Sequence, residues 1–267
     1  MRKGSDNSGR TMDAIDSVPN APPPPVPDLR RWAILLDIDG SILDIAPSPR
    51  QVKVPGELRR TLVRIDELTG GAVALVSGRT ISDIDLIFAP LRLAAIGVHG
   101  AEMRTSGDAE VQKRVRPLSN ALKRKLAEIV EFAPGILVED KGYSLALHYR
   151  LTPEKGPELL EAVAKICANA PTEPVEVLQG KLVVDVKPAG YNKGIAVSDL
   201  MRQAPFVGRH PIFIGDDTTD LPVFSTIPKF GGQAYSVGGI VAKVDGHFDR
   251  PATVRSWLAR IATQSAA

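Results

Sequence analysis

The sequence predicts an α/β fold: an open, Rossmann-like parallel sheet with helices on both faces, interrupted by an inserted α+β module. Short apolar runs alternate with helical-period segments at both ends of the chain, the signature of a parallel sheet. Each run stops at a small polar cluster, where the functional loops of such a sheet lie. The middle of the chain instead shows half-exposed, alternating strands, which suit a small antiparallel sheet.

The elements follow in order. Met1 to Arg30 is polar and then proline-rich, with Ala21 to Pro27 an extended stretch, and residues 1–30 are expected to be a disordered tail. Trp32 to Leu36 is a continuous apolar run ending at Asp37 and predicts a buried parallel strand. Leu58, Leu62, Ile65 and Leu68 recur at helical spacing, with Pro55 before them and Gly70-Gly71 after. Ala72 to Val76 predicts a second strand, Ser82 to Phe88 a helix and Leu93 to Val98 a third strand.

Ser119 to Phe132 and Pro153 to Ala170 predict helices of the insert. Ser144 to Tyr149 and Lys181 to Lys187 predict its strands, the second with Leu182, Val184 and Val186 on one face and Lys181, Val183, Asp185 and Lys187 on the other. After Pro188 the parallel rhythm returns, with a helix from Lys193 and a strand from Pro211 to Ile214. The expected division is a core of residues 31–103 and 188–267 around an insert of residues 104–187.

Composition narrows the function. The 267 residues include 33 basic and 31 acidic side chains, a formal charge of +2, which removes any bulk electrostatic case for nucleic acid or an anionic membrane. The one cysteine, Cys167, excludes an internal disulfide and a multi-cysteine metal site and is expected to be a small core residue. No apolar run approaches a membrane span of about 20 residues. A cytoplasmic, soluble monomer is the expectation.

Four clusters carry the chemistry: Asp37-Ile38-Asp39-Gly40-Ser41, Ser77-Gly78-Arg79, Asn192-Lys193-Gly194, and Gly215 to Asp220. Carboxylates, a hydroxyl, a lysine and further carboxylates, in that order, match a phosphoryl-transfer site. Crowded carboxylates repel unless a cation sits among them, and all-oxygen donors favour Mg²⁺. An ionised aspartate attacking a phosphate needs positive charge nearby, which Lys193 and Mg²⁺ supply. Ser77 can donate to a phosphate oxygen, and Asp39 is placed to protonate a sugar alkoxide as it leaves.

These clusters resemble, in sequence order, the motifs of the haloacid dehalogenase superfamily. Within it the chain is similar to the trehalose-6-phosphate phosphatases through Gly97 to Glu102, Val138 to Arg150 and Val183 to Pro188 leading to Asn192-Lys193-Gly194. The resemblance implies Asp37 as nucleophile, Asp39 as acid and base, and Mg²⁺ held by the Asp37 carboxylate, the Asp39 backbone carbonyl and Asp216. It implies that Ser77, with Gly78 and Arg79, and Lys193 hold the phosphate, that His99 and Glu102 line the site, and that the insert is a cap.

Glu139, Lys141 and Asp185 of that cap are expected to read the sugar, although the family often has glutamate at the position of Asp185. The residue after Asp39-Gly40 is Ser41, where the family usually has threonine. The implied reaction is hydrolysis of trehalose 6-phosphate, with a functional link to a trehalose-6-phosphate synthase. Another sugar-phosphate phosphatase, a silent sugar-phosphate-binding domain and a phosphomutase are the alternatives.

Several residues keep two readings at this point. Asp217 and Asp220 are helix caps or ligands, and Ser77 is a phosphate donor or a helix cap. Glu139 and Lys141 are sugar ligands or a surface ion pair. His99 lines the site or is a buried histidine bonded to backbone, and His148 and Arg150 read as structural.

Overall fold

The computed structural model describes residues 28–46, 51–129, 134–169, 173–239 and 244–263. The opening strand, β1 (Trp32–Leu36), is followed by α1 (Gly56–Thr69), β2 (Val73–Val76), α2 (Ile81–Phe88) and β3 (Ala94–Gly97). Two short strands, β4 (Glu102–Arg104) and β5 (Gln112–Lys113), then run antiparallel along the same sheet. The insert comprises α3 (Asn120–Ala127), β6 (Leu137–Asp140), β7 (Leu145–His148), α4 (Gly156–Ala168), β8 (Val175–Gly180) and β9 (Val183–Pro188). The chain closes with α5 (Lys193–Leu200), β10 (His210–Gly215), α6 (Leu221–Phe224), β11 (Gln233–Val237), β12 (Gly246–Phe248) and α7 (Pro251–Ala262).

The core sheet has the order β12-β11-β10-β1-β2-β3-β4-β5, and its neighbours from β12 to β3 are all parallel. Both faces of β1 are covered, as its unbroken apolar run requires. Ile34 and Leu36 pack beneath α1 and α7 with Leu58, Leu62, Trp257 and Leu258, while Ala33 and Leu35 join Ala196, Val197 and Phe224 on the opposite face. The chain leaves β1 toward β2 on one side and returns through β10 on the other, so the order reverses at β1. A crevice opens at the carboxyl ends of such strands. Leu36 pairs with both Leu75 and Ile214, which brings the ends of β1, β2 and β10 level.

The cap sheet, in the order β6-β7-β9-β8, is antiparallel throughout. Leu145, Leu147, Val184 and Val186 face α3 and α4, packing on Leu122, Leu126, Leu159 and Val163. The alternate residues form a cross-strand row in which Ala146 stands between Glu139 and Asp185. The small side chain at Ala146 leaves space between two carboxylates that face the core crevice.

Four features differ from the sequence expectations. Leu29, placed in the tail, is buried in the core beneath α1, whereas the proline-rich run up to residue 27 lies outside the described residues. Residues 102–113 continue the core sheet, and the first residue of the cap core is Leu118, so the insert begins later than residue 104. Strand β8 was not anticipated; with β9 it forms a hairpin whose two-residue turn is Lys181-Leu182, which puts Lys181 at the tip rather than along a strand. The helix expected over Ser119 to Phe132 spans Asn120–Ala127, capped by the Ser119 side chain, and residues 130–133 and Ala170 lie outside the described residues. Among the described residues no helix is long and apolar enough to cross a membrane.

Candidate active site

Asp37 follows the last residue of β1, and its amide donates to the carbonyl of Ile214 at 2.9 Å, continuing the sheet one residue into the crevice. The next residues fold into a tight loop: Ile38 O accepts from the amides of Ser41, Ile42 and Leu43. Gly40 sits in that loop at φ +91°, and a Cβ there would lie 2.1 Å from Asp216 Oδ2. Only glycine admits both that backbone and the approach of the β10 carboxylate.

Lys193 supplies the charge that this carboxylate cluster needs. Asn192 caps α5 by accepting from the Ile195 amide, so Lys193 is the first helical residue and points inward. A Cβ on Gly194 would meet the Pro222 carbonyl at 2.4 Å, and this close packing of α5 on α6 holds the lysine in place. The Lys193 ammonium donates to Asp37 Oδ1 at 2.7 Å and to Asp220 Oδ1 at 2.8 Å. Burial alone would lower its pKa, but Asp220 and Asp37 outweigh that and hold it protonated.

The Ser41 hydroxyl lies 3.0 Å from Asp37 Oδ2 and 3.1 Å from Asp216 Oδ1, bridging the two acids. Burial pushes Asp37 up to about 7, with the Asp220 charge adding to the effect. Burial and the Asp37 charge likewise push Asp216 up to about 7. Oxygen atoms of Asp37, Asp216 and Asp220 lie within 4.8 Å of one another. Hard oxygen donors whose buried charges repel are what a divalent cation relieves, so the donor set fits Mg²⁺. Asp220 is the least available of the three, because Oδ1 takes Lys193 and Oδ2 takes the amides of Asp216 and Asp217.

A prediction follows for the cation. Mg²⁺ must displace protons from carboxylates that titrate near 7, so its affinity should rise with pH through that value. Thermal melts of the metal-free protein should shift upward on adding Mg²⁺, more at pH 8 than at pH 6, and phosphatase activity should vanish in excess chelator and return with Mg²⁺. Full activity after verified metal removal would exclude Asp216 as a functional ligand.

A second layer surrounds these groups. Arg79 donates from Nε and Nη2 to the two oxygens of Asp39 at 2.6 and 2.7 Å. Ser77 Oγ accepts from the Arg79 amide, while α2 is capped by Thr80, so the helix-cap reading of Ser77 falls away. From the cap, Lys141 donates to Asp185 at 2.9 Å and Glu139 lies 2.7 Å from His148 Nε2. Burial pushes Asp185 up, but Lys141 and His99 outweigh it and hold this carboxyl well below the usual range.

The pocket so formed is lined by residues of all four clusters and of the cap, among them Asp37, Ser77, Lys141, Asp185, Lys193 and Asp216. A trehalose-phosphatase family model matches residues 35–247, a span that includes every one of these side chains. The chain belongs to the trehalose-phosphatase family. It is 40% identical over 212 residues to a probable trehalose-phosphate phosphatase of Sinorhizobium fredii, covering 79% of each chain. It is 34% identical over 234 residues to the trehalose-6-phosphate phosphatase of Escherichia coli, covering 87% of each. The fold is similar to that of the C-terminal domain of the Candida albicans trehalose-6-phosphate phosphatase, at TM-score 0.78 and 22% identity over 87% of this chain and 93% of that one. A phosphatase of the haloalkanoate (HAD) superfamily from Bacteroides thetaiotaomicron aligns at TM-score 0.58 and 16% identity over 91% of this chain and 99% of that one.

Within this trehalose-phosphatase fold, the residues singled out from sequence fall into three groups. Asp37, Asp39, Ser77, Gly78, Arg79, His99, Glu139, Lys141, Asp185, Lys193 and Asp216 line one pocket. Glu102 does not: its carboxylate accepts from the Ile81 amide at 2.8 Å and so steadies the start of α2. Asp217 caps the short turn at Thr218–Asp220 and also lines the pocket, and Asp220 combines capping with the Lys193 ion pair.

His99 is buried at φ +55°, its ring over Gly78, with neither nitrogen in a hydrogen bond. Its Nε2 is 3.5 Å from Asp185 Oδ2, too long for a good hydrogen bond.

The sequence reading missed Lys181, His148, Arg150 and Ile45 as pocket residues. For Lys181 a signal was present, a Gly-Lys turn between two alternating runs, but it is legible only once β8 is recognised.

Proposed function

We propose that this chain hydrolyses trehalose 6-phosphate to trehalose and inorganic phosphate through a phosphorylated Asp37. The observation that carries the reading is the buried Asp37 carboxylate, with Lys193 on one oxygen and Ser41 on the other, in a pocket that Glu139, Lys141 and Asp185 of the cap also line. Asp37 attacks phosphorus, the bond from phosphorus to the sugar oxygen breaks, and Asp39 delivers the proton that the departing alkoxide needs. Asp39 then takes a proton from water as that water attacks phosphorus, and the bond to Asp37 breaks.

Asp37 and Asp216, with the Asp39 backbone carbonyl, would hold Mg²⁺, which supplies charge neutralisation to the anionic phosphate and its anionic attacker. Arg79 steadies Asp39 in the resting protein, and the substrate phosphate offers that guanidinium a second anion. A synthase that makes trehalose 6-phosphate is the proposed source of substrate.

The substrate reading is tested at the cap. All sugar phosphates present the same phosphoryl end, so discrimination has to come from groups far from phosphorus. Glu139, Lys141 and Asp185 are charged groups facing the crevice, each worth about 1.5–3 kcal/mol to a bonded hydroxyl. Glu139→Ala and Lys141→Ala should therefore lower kcat/KM for trehalose 6-phosphate by roughly ten- to a hundredfold. Activity on p-nitrophenyl phosphate, which does not reach the cap, should fall far less. Equal losses on both substrates would assign these residues to the fold or the chemistry instead, and release of phosphate from a sugar-phosphate panel without preference for trehalose 6-phosphate would remove the substrate assignment.

A further inference from the structure

The β8–β9 hairpin does more than contribute lining to the pocket. Its tip crosses to the core and rests on the loop that carries Asp216. Lys181 Nζ lies 2.5 Å from Asp216 Oδ2. Beside it the Thr218 hydroxyl donates to the Gln179 carbonyl at 3.0 Å, and a Cβ on Gly180 would stand 2.9 Å from Asp217 Oδ2. Half of the Lys181 side chain is exposed, whereas Asp216 is almost wholly buried.

We propose that Lys181 is a cap latch that competes with the catalytic cation for Asp216, so that loading the cation releases the hairpin and opens the way for the sugar phosphate. The proposal rests on the reading of Asp216 as a cation ligand. Two further observations carry it. The crevice between cap and core holds about 110 Å³, below the roughly 300–1,000 Å³ of pockets that hold ligands of drug size, so a hairpin that withdraws from Asp216 would make room for a disaccharide phosphate. Lys181 is the exposed partner of the pair, so its ammonium can move out to solvent when another cation takes its place at Asp216. The ammonium takes up one negative charge of Asp216 while the cation is absent, and a divalent ion placed against Asp37 and Asp216 repels it. A ligand that must displace a resident competitor binds with its affinity reduced by the competitor's occupancy.

The test uses the full chain and Mg²⁺ alone, without substrate. Calorimetric titration should show Lys181→Met binding Mg²⁺ about three- to tenfold tighter than wild type, and Lys181→Arg binding close to wild type. Hydrogen exchange should show amides of residues 178–183 exchanging faster in wild type when Mg²⁺ is added, and already fast and indifferent to Mg²⁺ in Lys181→Met. Unchanged or weaker Mg²⁺ binding by Lys181→Met would overturn the latch, as would exchange at the hairpin that ignores Mg²⁺ in wild type. Asp216→Asn separates the two levels: Mg²⁺ binding equal to wild type in that variant means that the ligand reading itself has failed.

Discussion

Asp37→Asn should lower phosphate release by at least about a thousandfold, equivalent to roughly 4 kcal/mol of barrier, and leave the fold intact. An amide has the shape of a carboxylate but neither its charge nor its nucleophilicity, and no other carboxylate occupies the same position. Asp220, which shares Lys193 with Asp37, spends both oxygens on that lysine and on the amides of its own turn. The substitution also removes a buried charge that desolvation disfavours, as its raised pKa shows. The thermal melt should therefore be unchanged or higher, which separates loss of chemistry from loss of structure. Beryllium fluoride, a phosphoryl mimic that needs a carboxylate oxygen, should bind wild type at Asp37 and not bind the variant. Retention of more than a few per cent of activity would eliminate the covalent route.

Lys193→Met should be as damaging to turnover and far more damaging to stability. The lysine, Asp37 and Asp220 have side chains that are 3%, 6% and 0% exposed. Removing the shared cation leaves two buried carboxylates facing each other, and breaking a buried pair from one side costs about 3–5 kcal/mol. For a chain of this size, at about 2–4 °C per kcal/mol, the metal-free melting temperature should fall by roughly 10 °C.

The pH dependence has a definite sign. Asp37 and Asp220 already have raised pKa values, and loss of Lys193 raises them further. A carboxyl group with a raised native pKa binds protons more tightly folded than unfolded, so it contributes stability below its native pKa and loses it as pH rises. The deficit of Lys193→Met should thus shrink on acidification from pH 8 to pH 5. Adding Asp220→Asn should recover part of the stability and none of the activity. A double variant no more stable than the single one would show that Lys193 does not act through this triad.

The parallel core was legible in the sequence because its signals are local. A run such as Trp32 to Leu36 is apolar at every position because both of its faces are covered, and the polar residues that follow stand at the strand's end whichever neighbour it pairs with. The spacing of Leu58, Leu62 and Ile65 fixes the buried face of α1 in the same way. The four polar clusters could be named in advance for that reason, and the reversal of strand order at β1 brings them to one crevice.

Partners distant in the chain were not legible, because no local pattern encodes who meets whom. Asp39 is marked as the acid and base in the sequence, but nothing there shows that Arg79, forty positions away, grips it. Glu139 and Lys141 share a stretch of sequence but choose different partners, His148 and Asp185, since antiparallel pairing sets Glu139 opposite Ala146 and Ala146 opposite Asp185. Glu102 follows His99 by only three residues, yet it opens β4, and its carboxylate meets the Ile81 amide at the start of α2 and not the pocket. Lys181 was hidden for the same reason. Its role depends on a hairpin that carries it from the cap to a carboxylate on β10's loop, and only the docking of the cap sheet on the core brings those two charges together.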